Sequence, residues 1–418
     1  MTFPTSVIRR LARSEEMFAQ SQTYFGATVR LIGSVDAAAM AMAFDTLLDA
    51  HPILAGHLER RADGLHHIVA DDLLHPGIWL LKGEDATPTA RMRLDQRVSV
   101  TNLRLRLVDG SAELTLFTHH SLADAQHQFG LLSELFAWYT DLVTTGDTGP
   151  VIVAQTPEPI EAVLAERGVV KQSRSGFERL LAAMYVYELP PSTKSDAGGS
   201  PDLPAPVPVA RCQLTESQTA ALATFCTSYG LSLNSAVSAA ILTAEWQIRA
   251  TPHIPIPYLY PVDLRLLLTP PVDPTASTNP LGVATYLAKI TADTELADLA
   301  RDIVETFRAD LADGLIQQSI LHFDLQYEGN PPGLPDVVIA SNGGVLPSMP
   351  TPPGLRVDGV YSELFTASAA GIDLYAISVF EDRLHIEHHA HTPAPERAID
   401  AIHALLCSVD DDSDWMAE

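Results

Sequence analysis

Basic residues are scarce in this sequence: 26 Lys and Arg stand against 52 Asp and Glu, a net charge of -26 over 418 residues. So acidic a chain has no broad electrostatic pull on nucleic acid or anionic lipid, so no nucleic-acid partner is expected and any membrane-surface contact would be transient. Cysteine is scarcer still. Cys212, Cys226 and Cys407 are odd in number, widely separated and without metal-ligand spacing, which fits a reducing compartment better than a disulfide framework. Long apolar runs are missing as well. The first residues carry Arg9, Arg10, Arg13, Glu15 and Glu16 where a signal peptide has an apolar core. No later stretch reaches the roughly 18 apolar residues that cross a bilayer. The expected location is cytoplasmic. No short internal repeat divides the chain.

What is present is apolar content, 46% of residues, enough for two cores in a chain of this length. Thr28 to Ile32 reads as a strand, and Ala37 to Ala50 as a helix with Met40, Phe44 and Leu47 on one face. Leu103, Leu105 and Leu107 alternate with Arg104 and Arg106 before Asp109-Gly110, and Leu114, Leu116 and Thr118 follow: a hairpin whose second strand ends at a histidine pair. Asp124 to Val143 returns to helical period. From Glu188 to Val209 the chain collects six prolines with Gly198-Gly199, the composition of an exposed crossover. Beyond it, helices are expected at 216–229, 232–249, 296–311 and 395–407, with strands at 210–214, 256–262, 284–291, 337–341, 374–380 and 384–389. Strands and helices mix in both halves, so the expectation is two mixed α/β domains, 1–187 and 210–418, joined by a linker at 188–209.

His119-His120-Ser121-Leu122-Ala123-Asp124 is the strongest local signal. A histidine at a strand end can present an unpaired imidazole nitrogen, and its ordinary pKa of about 6.5 suits it to take a proton from a hydroxyl at neutral pH. A plainer reading makes Ser121 to Asp124 a capping box beside two half-buried strand histidines. A third is a metal site drawing on His127 and Glu387-His388-His389-Ala390-His391, which neighbouring strand residues pointing to opposite faces argue against. Arg265, after a buried-looking strand, needs a carboxylate partner unless it is exposed; Asp124 is a candidate. Ser341 and Asn342, before two glycines, could aim a hydroxyl and amides at an oxyanion or form a plain turn.

The histidine segment resembles the His-His-x-x-x-Asp signature shared by nonribosomal-peptide condensation domains and polyketide-associated acyltransferases. Other segments are similar in order: Arg30 to Leu48 with the stop Asp49-Ala50-His51-Pro52-Ile53-Leu54, the helix Leu231 to Trp246, and the Val-Asp-x-Arg segment Val262 to Arg265. The resemblance runs over essentially the whole chain. It implies two chloramphenicol-acetyltransferase-like domains with an active-site tunnel between them and His120 as general base. His119, Asp124 and Arg265 would support the site, and neither metal nor other cofactor is needed. It further implies that a methyl-branched acyl chain passes from a thioester on a polyketide synthase carrier domain to a long-chain diol. Where the family has glycine after the aspartate, this chain has Ala125. Acidic carrier domains would need a basic docking patch; Arg167, Lys171, Arg174 and Arg179 form one run, with Arg308 a further candidate and a solvated helix face the plain alternative. The rivals are a same-fold enzyme acylating an amine or sugar, a silent carrier-recruiting module, and a zinc hydrolase.

Overall fold

The computed structural model describes residues 6–70, 75–83, 92–184, 186–187, 203–249, 251–322, 337–368, 372–392 and 394–408. Two six-stranded sheets organise it. The first runs in the order Ile78–Lys82, Thr101–Val108, Ser111–His119, Tyr24–Ile32, Arg356–Thr366, Ala205–Pro206. All its pairings are antiparallel except that of Ile78–Lys82 with Thr101–Val108. The expected hairpin is its centre: Val108 faces Ser111, and Gly110 takes the positive φ of 75° that the tight turn requires. In the same register Tyr24 faces His119, so the histidine pair falls where the strand runs out of partner.

Leucines 103, 105, 114 and 116, all from the alternating pattern, point to one face and are covered by the helices Ala37–Ala50 and Ala125–Thr145. Asp36 starts the first of these, accepting from the amides of Ala38 and Ala39. A small three-stranded sheet, Ser6–Arg10, His66–Ala70 and His57–Arg60, is appended.

The second sheet has the order Leu281–Ala288, Ile256–Asp263, Val338–Val345, Asp373–Phe380, Arg383–Ala390, Val209–Gln213, with the third strand parallel to both its neighbours. The helix Leu233–Ile248 begins in a capping box at Ser232. It is buried nearly all round because Leu296–Ala312 and Pro395–Ser408 pack against it. Both halves are therefore mixed α/β, as expected.

The halves also exchange chain. Ile160, Val163 and Leu164 of the helix Ile160–Glu166 sit in the second core, while Arg356–Thr366 completes the first sheet and contributes Val360 to the first core. Of the expected linker, 188–202 lies outside the described residues; Ala205–Pro206 still belongs to the first sheet and Val209–Gln213 opens the second.

Candidate active site

Because the strand Ser111–His119 outruns its ladder, the turn that follows is held by single bonds instead. The His120 amide donates to the Thr23 carbonyl at 2.8 Å, and Asn279 Nδ2 donates to the His120 carbonyl at 2.8 Å. The ring is fixed too. His120 Nδ1 lies 3.2 Å from the Ala123 carbonyl, an acceptor, so Nδ1 carries the proton and Nε2 keeps its lone pair. Nε2 has no hydrogen-bond partner among the described residues. Phe18 stacks on the imidazole at 4.2 Å and 18°, and Phe25 stands at 6.5 Å. Burial lowers the His120 pKa, and the Asp124 charge opposes that only in part. The neutral, proton-accepting form is thus favoured near pH 7.

Asp124 does not bond to His120. It caps the helix Ala125–Thr145 through the His127 amide at 2.9 Å and receives both terminal nitrogens of Arg265, at 2.8 and 2.9 Å. The two residues are only 3% and 5% exposed, and Arg265 also donates to the Pro274 carbonyl and Asp263. A planar guanidinium meeting a carboxylate on both oxygens fixes orientation as well as distance. A capping box from Ser121 to Asp124 is not formed: the cap is Asp124 itself, and the Ser121 hydroxyl donates to the Glu15 carbonyl. Ala125, in the position of the family glycine, packs against the first core.

His119 is fully buried, and burial pushes its pKa down to about 3. Its Nδ1 accepts from the Ser121 amide at 3.3 Å and its Nε2 faces Gln96 Oε1 at 2.9 Å. The helix Arg13–Gln20 was not expected near the site, yet it supplies Phe18 and the buried Glu15. The Glu15 carboxylate accepts from Arg9 at 2.7 Å and from the Thr278 hydroxyl at 2.7 Å. The charged sequence there conceals an amphipathic turn whose glutamates point inward.

Ser341 and Asn342 lie on the strand Val338–Val345, which reaches across to the first turn of the helix Ala125–Thr145, where Gln126 Nε2 donates to the Gly343 carbonyl. Both polar atoms of Asn342 are engaged, Nδ2 with Asn234 and Oδ1 with the Gly344 amide. Of the basic run, Arg167 is tied to the carbonyls of Pro270 and Pro271, and Arg179 to both carboxylate oxygens of Asp310. Arg174 approaches Asp313 at 3.7 Å, and Lys171 and Arg308 are exposed. Arg167 ends one helix, Lys171 and Arg174 lie in the loop after it and Arg179 is on the next helix, Glu178–Met184, so the run is not a single helix face.

The metal reading is not supported by the donor geometry. Glu387 is occupied by Arg211 and Ser362, His389 Nε2 by Ser362, and His391 by the Ile372 amide; the Nδ1 atoms of His127 and His389 are unpartnered but gather no three-ligand group among the described residues. Among the described residues, one group, Glu245, Asp373 and His388, brings three metal-type ligand atoms within 4.8 Å of one another. Its atoms are already spent: His388 bonds Asp373 and the Pro395 carbonyl, and Glu245 takes the Tyr375 hydroxyl and Arg249.

Two mixed α/β units, a His-His-x-x-x-Asp turn on one and an arginine from the other locked to its aspartate, define an acyltransferase of the condensation-domain kind. Known proteins place it more narrowly. A family model described as "Phthiocerol/phthiodiolone dimycocerosyl transferase C-terminus" matches residues 203–389. A phthiocerol/phthiodiolone dimycocerosyl transferase of Mycobacterium sp. (strain JLS) is 53% identical over 409 residues, 98% of each chain. The structure of polyketide synthase associated protein 5 from Mycobacterium tuberculosis superposes with a TM-score of 0.89 at 48% identity, covering 98% of this chain and 100% of that one. At 15% identity the first condensation domain of the CDA synthetase shares the fold, with a TM-score of 0.62, over 96% of this chain and 97% of that one. The chain belongs to the phthiocerol/phthiodiolone dimycocerosyl transferase family, and it is a polyketide-associated acyltransferase.

Proposed function

We propose that the enzyme moves a long methyl-branched acyl chain from a carrier-domain thioester, on a polyketide synthase of the mycocerosic acid synthase type, to the hydroxyls of a phthiocerol-type diol. The observation that carries this reading is the tautomer of His120. With Nδ1–H spent on the Ala123 carbonyl, Nε2 is the atom left to take a proton, and burial keeps it unprotonated at neutral pH. His120 removes the acceptor's hydroxyl proton, the oxygen attacks the thioester carbonyl, and the resulting imidazolium returns the proton to the departing thiolate. Proton and acyl group balance without a metal or redox step. Phe18 and Phe25 beside the imidazole, with Phe129 packed edge-on behind Phe25, make an aromatic wall that suits alkyl chains rather than sugars or charged amines.

Donor and acceptor enter, on this reading, through a tunnel between the two units, 1–187 and 210–418 apart from the exchanged segments Ile160–Glu166 and Arg356–Thr366. His119 and the Asp124–Arg265 pair hold the loop. One Asn342 N–H is spent on Asn234, which leaves its second N–H, the Ser341 hydroxyl and backbone amides to stabilise the oxyanion. Carrier docking falls to Lys171, Arg174 and Arg308 rather than to Arg167, whose guanidinium holds the 270–271 turn. The deciding experiment is acyl transfer to a long-chain diol from acyl-CoA and from carrier-bound donor, wild type against His120→Ala. A fall of about 10² or more with the fold intact is expected; full activity in the variant would remove His120 as the base.

A further inference from the structure

Behind the histidine turn lies a buried polar chain with no part in the reaction as written above. His119 Nε2 lies 2.9 Å from Gln96 Oε1; Gln96 Nε2 bonds the Ala19 carbonyl at 3.0 Å and approaches His66 Nε2 at 3.5 Å; His66 Nδ1 meets Glu16 Oε1 at 2.6 Å. All four side chains are buried, at 0%, 6%, 7% and 1% exposure for His119, Gln96, His66 and Glu16. Proton placement is determined along the whole chain. The Ser121 amide needs a lone pair on His119 Nδ1, so Nε2 bears the hydrogen and donates to Gln96 Oε1. That turns the Gln96 amide nitrogen toward Ala19 and His66, leaves His66 Nε2 as acceptor, and gives its Nδ1–H to the carboxylate. Apart from the Gln96 N–H given to the Ala19 carbonyl, each contact donates toward Glu16, whose second oxygen accepts from the His66 amide.

We propose that Gln96, His66 and Glu16 are positioning residues for acyl transfer: they hold His119 in its Nε2–H tautomer, so that its Nδ1 fastens the Ser121 amide and with it the turn that presents His120. This rests on His120 being the base. The same chain seats Phe18 on the imidazole, because Glu16 and Ala19 belong to the helix whose Phe18 stacks on His120. A glutamine link transmits this order without adding charge beside His119, whose other titratable neighbours are His120, His66 and the edge of Tyr24. Misplacing a reacting group by about 1 Å can cost on the order of 10² in rate.

The test is a pH profile of acyl transfer from acyl-CoA to a long-chain alcohol by the full-length enzyme and the variants Gln96→Met, Gln96→Glu and His120→Ala. Gln96→Met is expected to lower kcat at least about tenfold with KM little changed. Gln96→Glu places a carboxylate against His119 and favours its cation, which has no lone pair for Ser121, so the acid limb of the profile should move to higher pH. Wild-type kcat and profile in both Gln96 variants, with His120→Ala inactive, would overturn the positioning role and leave the base assignment standing. An active His120→Ala would overturn both. Should a variant not fold, ¹⁵N NMR of the wild-type imidazoles decides: Nε2–H with bare Nδ1 on His119 is expected, and Nδ1–H would sink the proposal.

Discussion

Asp124 does two jobs that the sequence pattern offers as alternatives: it caps a helix and it pairs with a distant arginine. The spacing could indicate the cap alone, because a cap is local; the choice of Arg265 across 141 residues came from resemblance and from the need of a buried guanidinium for a carboxylate. Such a pair contributes little as charge attraction, since desolvating both partners offsets most of it. What it enforces is geometry. Removing one partner is another matter, because Arg265→Ala strands a carboxylate that is 3% exposed. We expect that variant to lose about 3–5 kcal/mol in urea unfolding at pH 7. Arg265→Lys, keeping charge but not the two-pronged contact, should lose less. A loss below about 1 kcal/mol in the alanine variant would show that Asp124 is satisfied without its arginine.

At the scale of elements, close approach decides what substitutions the fold tolerates. Gly282, on the strand Leu281–Ala288, lies so near the short helix Leu315–Gln318 that an added Cβ would stand 2.3 Å from the Ile316 carbonyl oxygen. Backbone cannot swing aside as a side chain can. Gly282→Ala should therefore destabilise by at least about 1–3 kcal/mol, read as a lowered urea midpoint; an unchanged midpoint would mean that strand and helix separate freely. Elements with strong period were legible from sequence: the 103–118 hairpin, the helix after Asp124 and the Ser232-capped helix all stand where alternation or caps put them. Among the elements not anticipated from the sequence, two show different reasons. Arg356–Thr366 carries a clear alternation, with Val360, Ser362, Leu364 and Thr366 buried, so its signal was available. The helix Arg13–Gln20 buries glutamates instead of leucines, and no hydrophobic pattern announces a helix whose inward face is charged. Phe18 and Gln96 are not legible at the site for another reason: contacts that join residues 18, 96 and 120 leave no trace in local spacing.

Across the whole molecule, the exchange of chain between the halves joins the site to global stability. His119 lies in the first half, His127 beside the arginine contributed by the second, and His389 against Ser362 where the two sheets meet. Burial lowers all three pKa values, to about 3, 4 and 3. In the unfolded chain each histidine returns to about 6.5, so below that pH the unfolded state binds more protons and stability falls as pH falls. Above it both states are neutral at these positions and the contribution is flat. The loss should begin near pH 6.5 and steepen toward pH 4, each histidine adding up to about 1.4 kcal/mol per pH unit. His389→Gln, which keeps a hydrogen-bonding side chain facing Ser362 without a titrating ring, should flatten the slope of urea-unfolding free energy by about that amount between pH 6 and 4.5. If the variant and the wild type fall in parallel, His389 takes up its proton without unfolding, and the meeting of the two sheets is open to water.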